Sequence, residues 1–217
     1  MAAPDKTKSP MPDLAMPHPD APAWADALIH SRRTTLPKRL CGPGPDGTQR
    51  AAILAAAAAA PDHGQLLPWR FIEVPATQRA RLADAFAQAL LARDPAASQE
   101  DLEQAREKAH RAPWLLLAVC RARGGDTEVP AQERVLSAGA AIQNMLLLAT
   151  AMGLGSGLTS GKALSSAPLR ALFGLHADED ALCFINIGHV REARKPRPRP
   201  PVDAYFSCLD EGAPPPR

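Results

Sequence analysis

Aromatic residues make up only 4% of the 217-residue chain, too few for the stacked platforms that grip unpaired bases. An excess of one charge is missing as well. The formal net charge is +2, so no global field points to nucleic acid. The four cysteines, Cys41, Cys120, Cys183 and Cys208, are far apart, without the CxxC pairs of a zinc site or a thioredoxin-like motif. Three of them lie in or beside apolar runs, and we read them as reduced, packed thiols of a cytoplasmic protein. Nothing near Met1 resembles a secretion signal, because prolines interrupt the stretch and no apolar segment forms. No internal repeats, no catalytic triad and no metal-ligand cluster stand out along the sequence.

What is present is a 46% hydrophobic share, enough for one domain with a sizeable core. The chain is organised around Gln132 to Gly161, QERVLSAGAAIQNMLLLATAMGLGSGLTSG. Nearly every face of this helix is apolar, so it is expected to be buried on all sides. Ser137, Gln143, Asn144, Thr150 and the flanking charges argue against a bilayer span. Small residues from Ser137 to Ala141 would let another helix approach closely, and a copy of the same chain is the expected neighbour. The glycines that follow, Gly153, Gly155, Gly157 and Gly161, suit either a helix stop and turn or close backbone approach to a flat or anionic ligand.

Residues 1–20 are rich in proline and read as a disordered tail. Pro22 to His30 is a short helix running into Ser31-Arg32-Arg33-Thr34-Thr35. Those arginines could cradle a phosphate or satisfy the helix dipole. Cys41 to Thr48 reads as a loop, with Asp46 or Thr48 capping a helix from about Gln49 to Ala60. Asp62, His63, Gly64 and Gln65 then form a polar loop, a place where ligands are commonly met, and Arg70 to Val74 is a strand. Thr77 to Ala92 is an amphipathic helix, and Ser98 to His110 a polar one that serves as a solvated face or a lid. Trp114 to Cys120 is a central strand, Ser166 to Phe173 a short helix, and Leu182 to Ile187 another buried strand. From Arg191 to Pro201 basic residues alternate with prolines in an extended run, a solvated linker or a ligand for a proline-recognising module. Val202 to Leu209 is apolar enough to pack onto something, and residues 210–217 should fray. The order of elements predicts one α+β domain over residues 21–209, a small sheet under helices.

Four elements taken in order resemble the nitroreductase family of FMN-dependent oxidoreductases, in its short bacterial branch. They are SRRTT at Ser31 to Thr35, APDHGQLLPWRF at Ala60 to Phe71, the long helix with its GLGSGLTSG ending, and IGHV followed by RPRPP. The second is the most specific, because family members carry a loop close to APxxxNxQPWxF there. The likeness covers about Ala23 to Phe206. It implies a small mixed or antiparallel sheet flanked by helices, and a long buried helix at a homodimer interface with two shared FMN sites. By position, Arg32, Arg33 and Thr34 would grip the flavin phosphate, ribityl chain and ring edge, with Arg197 and Arg199 as the basic pair near the C-terminus. Pro61, Asp62, His63 and Gln65 would approach the flavin from the other subunit. Leu158, Thr159, Ser160 and Gly161 would lie against the isoalloxazine.

The implied activity is ping-pong hydride transfer from NADH or NADPH, through FMN, to a nitroaromatic, quinone or similar small-molecule acceptor. No protein nucleophile or metal is called for, and neither nucleic acid nor membrane is an expected partner. A Rossmann fingerprint with its ribose-reading acid is absent, so the choice of nicotinamide is not written in the sequence. Two departures from the family pattern bear on the acceptor. Leu67 stands where glutamine is common and Gln65 where asparagine is usual. Leu158 and Thr159 replace the branch's tryptophan and polar or basic residue, which implies a more apolar, more open pocket. The rival readings are an FMN-dependent oxidase or dehalogenase of the same family, a noncatalytic FMN-binding protein, and an interaction protein that docks through PRPRPP.

Overall fold

The computed structural model describes residues 18–124, 128–192 and 198–209. Residues 1–17 of the tail expected over residues 1–20, the frayed end expected over 210–217, and Arg197 fall outside the described residues. Among the described residues six α-helices and five strands make the α+β architecture: α1 Ala21–Ser31, β1 Leu40–Cys41, α2 Gly47–Ala56, β2 Trp69–Glu73, α3 Arg79–Arg93, α4 Gln99–Glu107, β3 Trp114–Arg121, α5 Ala131–Ala151, β4 Gly155–Thr159, α6 Ala167–Phe173 and β5 Glu179–Val190.

All pairings between these strands are antiparallel. Across the sheet the order is β2, β3, β5, β4, and β1 continues beside the far end of β5. β3 carries apolar residues without a break because both of its faces are covered. Trp114, Leu116, Ala118 and Cys120 meet α2 and α5 on one face, while Leu115, Leu117 and Val119 meet α3 and α6 on the other, as the two-residue period of a strand requires. A register shift between Ala118 and Val119 leaves Leu182 of β5 as an extra residue.

Helix limits follow local chemistry. Asp46 and Gln49 form a reciprocal capping box at the start of α2, and Gly174 at φ 57° ends α6. Arg79, although buried, donates to Val74 O at 2.8 Å and Ala109 O at 2.7 Å. It thereby ties α3 to the end of β2 and to the turn after α4, and burial lowers its pKa.

Several sequence expectations need correction. Gly155 to Thr159 is neither a turn nor a simple helix stop: it forms β4, paired with β5 from Gly188 to Phe184. Leu40 and Cys41 are a short strand where a loop was expected to begin. Within one chain the long helix is covered by the sheet and by α2, not on every side; Gln132, Leu136, Gly139 and Gln143 form an exposed stripe, with Leu136 71% exposed. α4 carries the expected solvated face, with Glu100, Asp101, Glu103, Gln104 and Glu107 exposed, while Leu102 and Ala105 are buried on its other side and Ala105 also lines a cavity. Val202, Tyr205, Phe206 and Leu209, expected to pack, stay exposed among the described residues. Among the described residues no helix is long and apolar enough to cross a membrane.

Candidate active site

α1 ends at Ser31, and Arg32 closes it through its N–H to Leu28 O. The chain then runs extended along the free edge of β4, with Thr34 bridging Ser156 in parallel and Thr35 N donating to Ser156 O at 2.8 Å. Gly157 makes this approach possible, because a Cβ there would overlap the Thr35 carbonyl oxygen. Arg199 reaches back to donate to Arg32 O at 2.9 Å. Burial first, and then the neighbouring charges of Arg199 and Arg33, lower the Arg32 pKa. Arg32, Arg33, Thr34 and Arg199 therefore lie together.

Beyond Thr35 the same segment forms one wall of a cavity of about 530 Å³, a size suited to a cofactor or small ligand. Thr159, Ser160 and Gly161 line it together with Leu36, Pro37 and Lys38. Leu158 points elsewhere and is half exposed. Asn186 of β5, 3% exposed, donates from Nδ2 to Gly157 O at 3.1 Å and Thr159 Oγ1 at 3.0 Å, pinning the end of β4. Sequence reasoning missed Asn186, although a lone amide inside the apolar run LCFINI is a signal, since a buried amide needs partners.

The cavity's charge was also missed. Lys38, Arg93, Lys108, Arg111 and Lys162 line it, and its described lining holds no aspartate or glutamate. Lys108 and Arg111 share the turn after α4, but Lys38, Arg93 and Lys162 come from other segments, so no single spacing in the sequence unites the five. Arg111 Nε is buried with no hydrogen-bond partner among the described residues, an orphaned donor at the cavity wall.

Pro61, Asp62, His63 and Gln65 do not join this group. Their loop is held by its own contacts: Asp62 Oδ2 accepts from Leu67 N at 2.7 Å, and His63 Nδ1 lies 2.7 Å from Glu133 Oε2 on α5. Gly64, Gln65 and Leu67 all have positive φ, 67°, 53° and 46°, a tight path that costs energy at the two non-glycine positions. The loop feeds β2, at the opposite edge of the sheet from β4. Three strand spacings, about 14 Å, separate those edges.

A sequence model described as Nitroreductase family matches residues 31–189, most of the chain. The chain belongs to the nitroreductase family. A Haemophilus influenzae relative that carries NAD(P)H nitroreductase as an inferred name is 33% identical over 161 residues, 74% of this chain and 85% of that protein. A nitroreductase-like family protein from Bacillus cereus has a similar fold, with a TM-score of 0.72 at 19% identity over 85% of this chain and 95% of that one. An FMN- and NADPH-dependent nitroreductase from a Sphigopyxis strain gives a TM-score of 0.67 at 24% identity, over 84% of this chain and 97% of that one. The nitroreductase fold expected from the four ordered motifs is thus the fold found.

Proposed function

We propose that this nitroreductase-family protein is an FMN-dependent NAD(P)H oxidoreductase that reduces nitroaromatic, quinone or similar acceptors, working as a homodimer with two shared sites. The observation that carries the reading is the cavity lined by Leu36–Lys38 and Thr159–Gly161, rich in cations with no described carboxylate and following directly in the chain on the Arg32, Arg33 and Thr34 cluster that Arg199 joins. Its donor set fits FMN. The crowded arginines suit a phosphate, the orphaned Arg111 Nε suits an acceptor atom at the wall, and Gly161 leaves open space where a Cβ would stand.

FMN, when bound, supplies two-electron transfer between a nicotinamide donor and an acceptor. The chain's residues hold and bias it. Arg32, Arg33, Thr34 and Arg199, with Arg197, would hold the phosphate and ribityl end. Thr159, Ser160 and Gly161 would lie against the ring, kept in place by Asn186. The cationic lining favours whatever gains negative charge on reduction, in a site already organised before the reaction. Pro61, Asp62, His63 and Gln65 belong to the partner's site in this reading, because their loop stands at the wrong edge of the sheet to serve its own.

The visible spectrum of the purified protein tests this, with FMN quantified per chain after heat release and NAD(P)H oxidation followed with a quinone or a nitroarene. One FMN per chain and acceptor-dependent turnover are expected. Colourless protein that refuses added FMN would overturn the reading, and yellow protein without turnover would favour a noncatalytic flavin binder.

A further inference from the structure

We infer that the oxidised acceptor of this protein is an organic anion: an aromatic or conjugated molecule bearing a carboxylate or similar charged group, seated by the cavity's rim cations. The inference rests on the FMN reading above and deepens it. The cavity presents five cations, Lys38, Arg93, Lys108, Arg111 and Lys162, against no carboxylate in its described lining. The phosphate expected on a flavin is accounted for elsewhere, by Arg32, Arg33 and Arg199, none of which lines this cavity. A reduced flavin ring adds at most one negative charge, which leaves most of the cationic lining unanswered.

Among the described residues Lys38, Arg93, Lys108 and Lys162 form no ion pair, and only Arg111 does, with Glu107 at 3.1 Å. Uncompensated like charges around one concavity focus the field there and draw anions in. Arg93 ends α3, Lys108 follows α4 and Lys162 follows β4. All three are exposed, so they form a rim on three separate supports. Leu36, Phe86, Leu90, Leu164 and Phe184 supply apolar wall between them. Apolar wall with cations at the rim is complementary to a flat ring that ends in an anionic group.

For a nitro acceptor the balanced first step consumes one NAD(P)H and one proton and converts the nitro group to nitroso, with NAD(P)+ and water as the other products. The test uses the FMN-loaded protein and two acceptors of nearly equal size, 4-nitrobenzoate and 4-nitrobenzamide. At low salt kcat/KM should favour the carboxylate by about tenfold, and the preference should shrink as ionic strength rises. Arg93→Gln and Lys108→Gln should each bring the carboxylate-to-amide ratio towards one. Calorimetry gives a readout free of turnover: benzoate should bind the loaded protein about tenfold more tightly than benzamide.

A ratio near one in the unmodified protein, in turnover and in calorimetry, overturns the inference while leaving the flavin reading intact. So does a high ratio that neither variant moves. If the variants change only the NADPH-to-NADH ratio, the rim serves the donor's extra phosphate and the inference is wrong. Protein that holds no FMN fails the earlier reading, and this one falls with it.

Discussion

At single positions the site depends on contacts that admit little change. Gly157→Ala would force β4 away from Thr35, and overpacking of this kind costs about 1–3 kcal/mol. Thermal unfolding should show a lowered Tm, and the variant should lose FMN before it loses helix content. Glu179 is a separate case. Its buried carboxylate accepts from Arg70 at 2.6 and 2.8 Å and from His176 N at 3.0 Å. The Arg70 hydrogen bond comes first in lowering its pKa to about 2, ahead of the opposing effect of burial. A carboxylate lowered in the folded state contributes stability that is full above its unfolded value and is lost as pH falls towards 2. Unfolding free energy should therefore drop between about pH 4.5 and 2. Glu179→Gln should cost about 2 kcal/mol at neutral pH and flatten that drop, as urea titrations at several pH values would reveal. A slope unchanged in the variant would assign the acid sensitivity to other groups. The grouping of residues was legible only in part. The SRRTT and LTSG motifs named Arg32, Arg33, Thr34 and Thr159–Gly161, which the fold brings along one edge. Lys38, Arg93, Lys108 and Lys162 were not legible, since single cations carry no local pattern and acquire meaning only when distant segments converge.

Among the elements, α5 and β3 were the most readable. A run with no polar face tells a strand or helix that it must be covered, and β3 is covered on both sides. β4 was hidden because glycine has low strand propensity, and Gly155 and Gly157 are there to let Val190 and Thr35 come close. The exposed stripe of α5 is the element whose purpose one chain leaves open. At Gly139 a Cβ would meet nothing within 4 Å, so Gly139→Trp should be tolerated by the chain itself. It should nevertheless prevent a second helix from closing on that face. Light scattering after size exclusion should find the variant monomeric, with native helix content by circular dichroism. A variant that stays dimeric would place the subunit contact on another surface. α1 belongs to the same question, since none of its residues is buried and Trp24 is 59% exposed.

Taken whole, the molecule holds the two halves of its proposed site at opposite edges of one sheet. If each complete site joins the β4 edge of one chain to the Pro61–Gln65 loop of another, then Arg32→Glu and Asp62→Ala spoil different halves. Each variant alone should be inactive. Dissociated and reassociated in equal amounts, they should recover about a quarter of native activity, because half the dimers are mixed and each mixed dimer carries one intact site. No recovery at all would mean that a single chain builds its own site. The strand spacing between β2 and β4 has a further outcome for anyone handling this protein. Specific activity should not be constant: thinning the solution below the subunit dissociation constant would switch the catalyst off with every bond in the polypeptide intact. Concentration would then act as the switch that other enzymes obtain from an inhibitor.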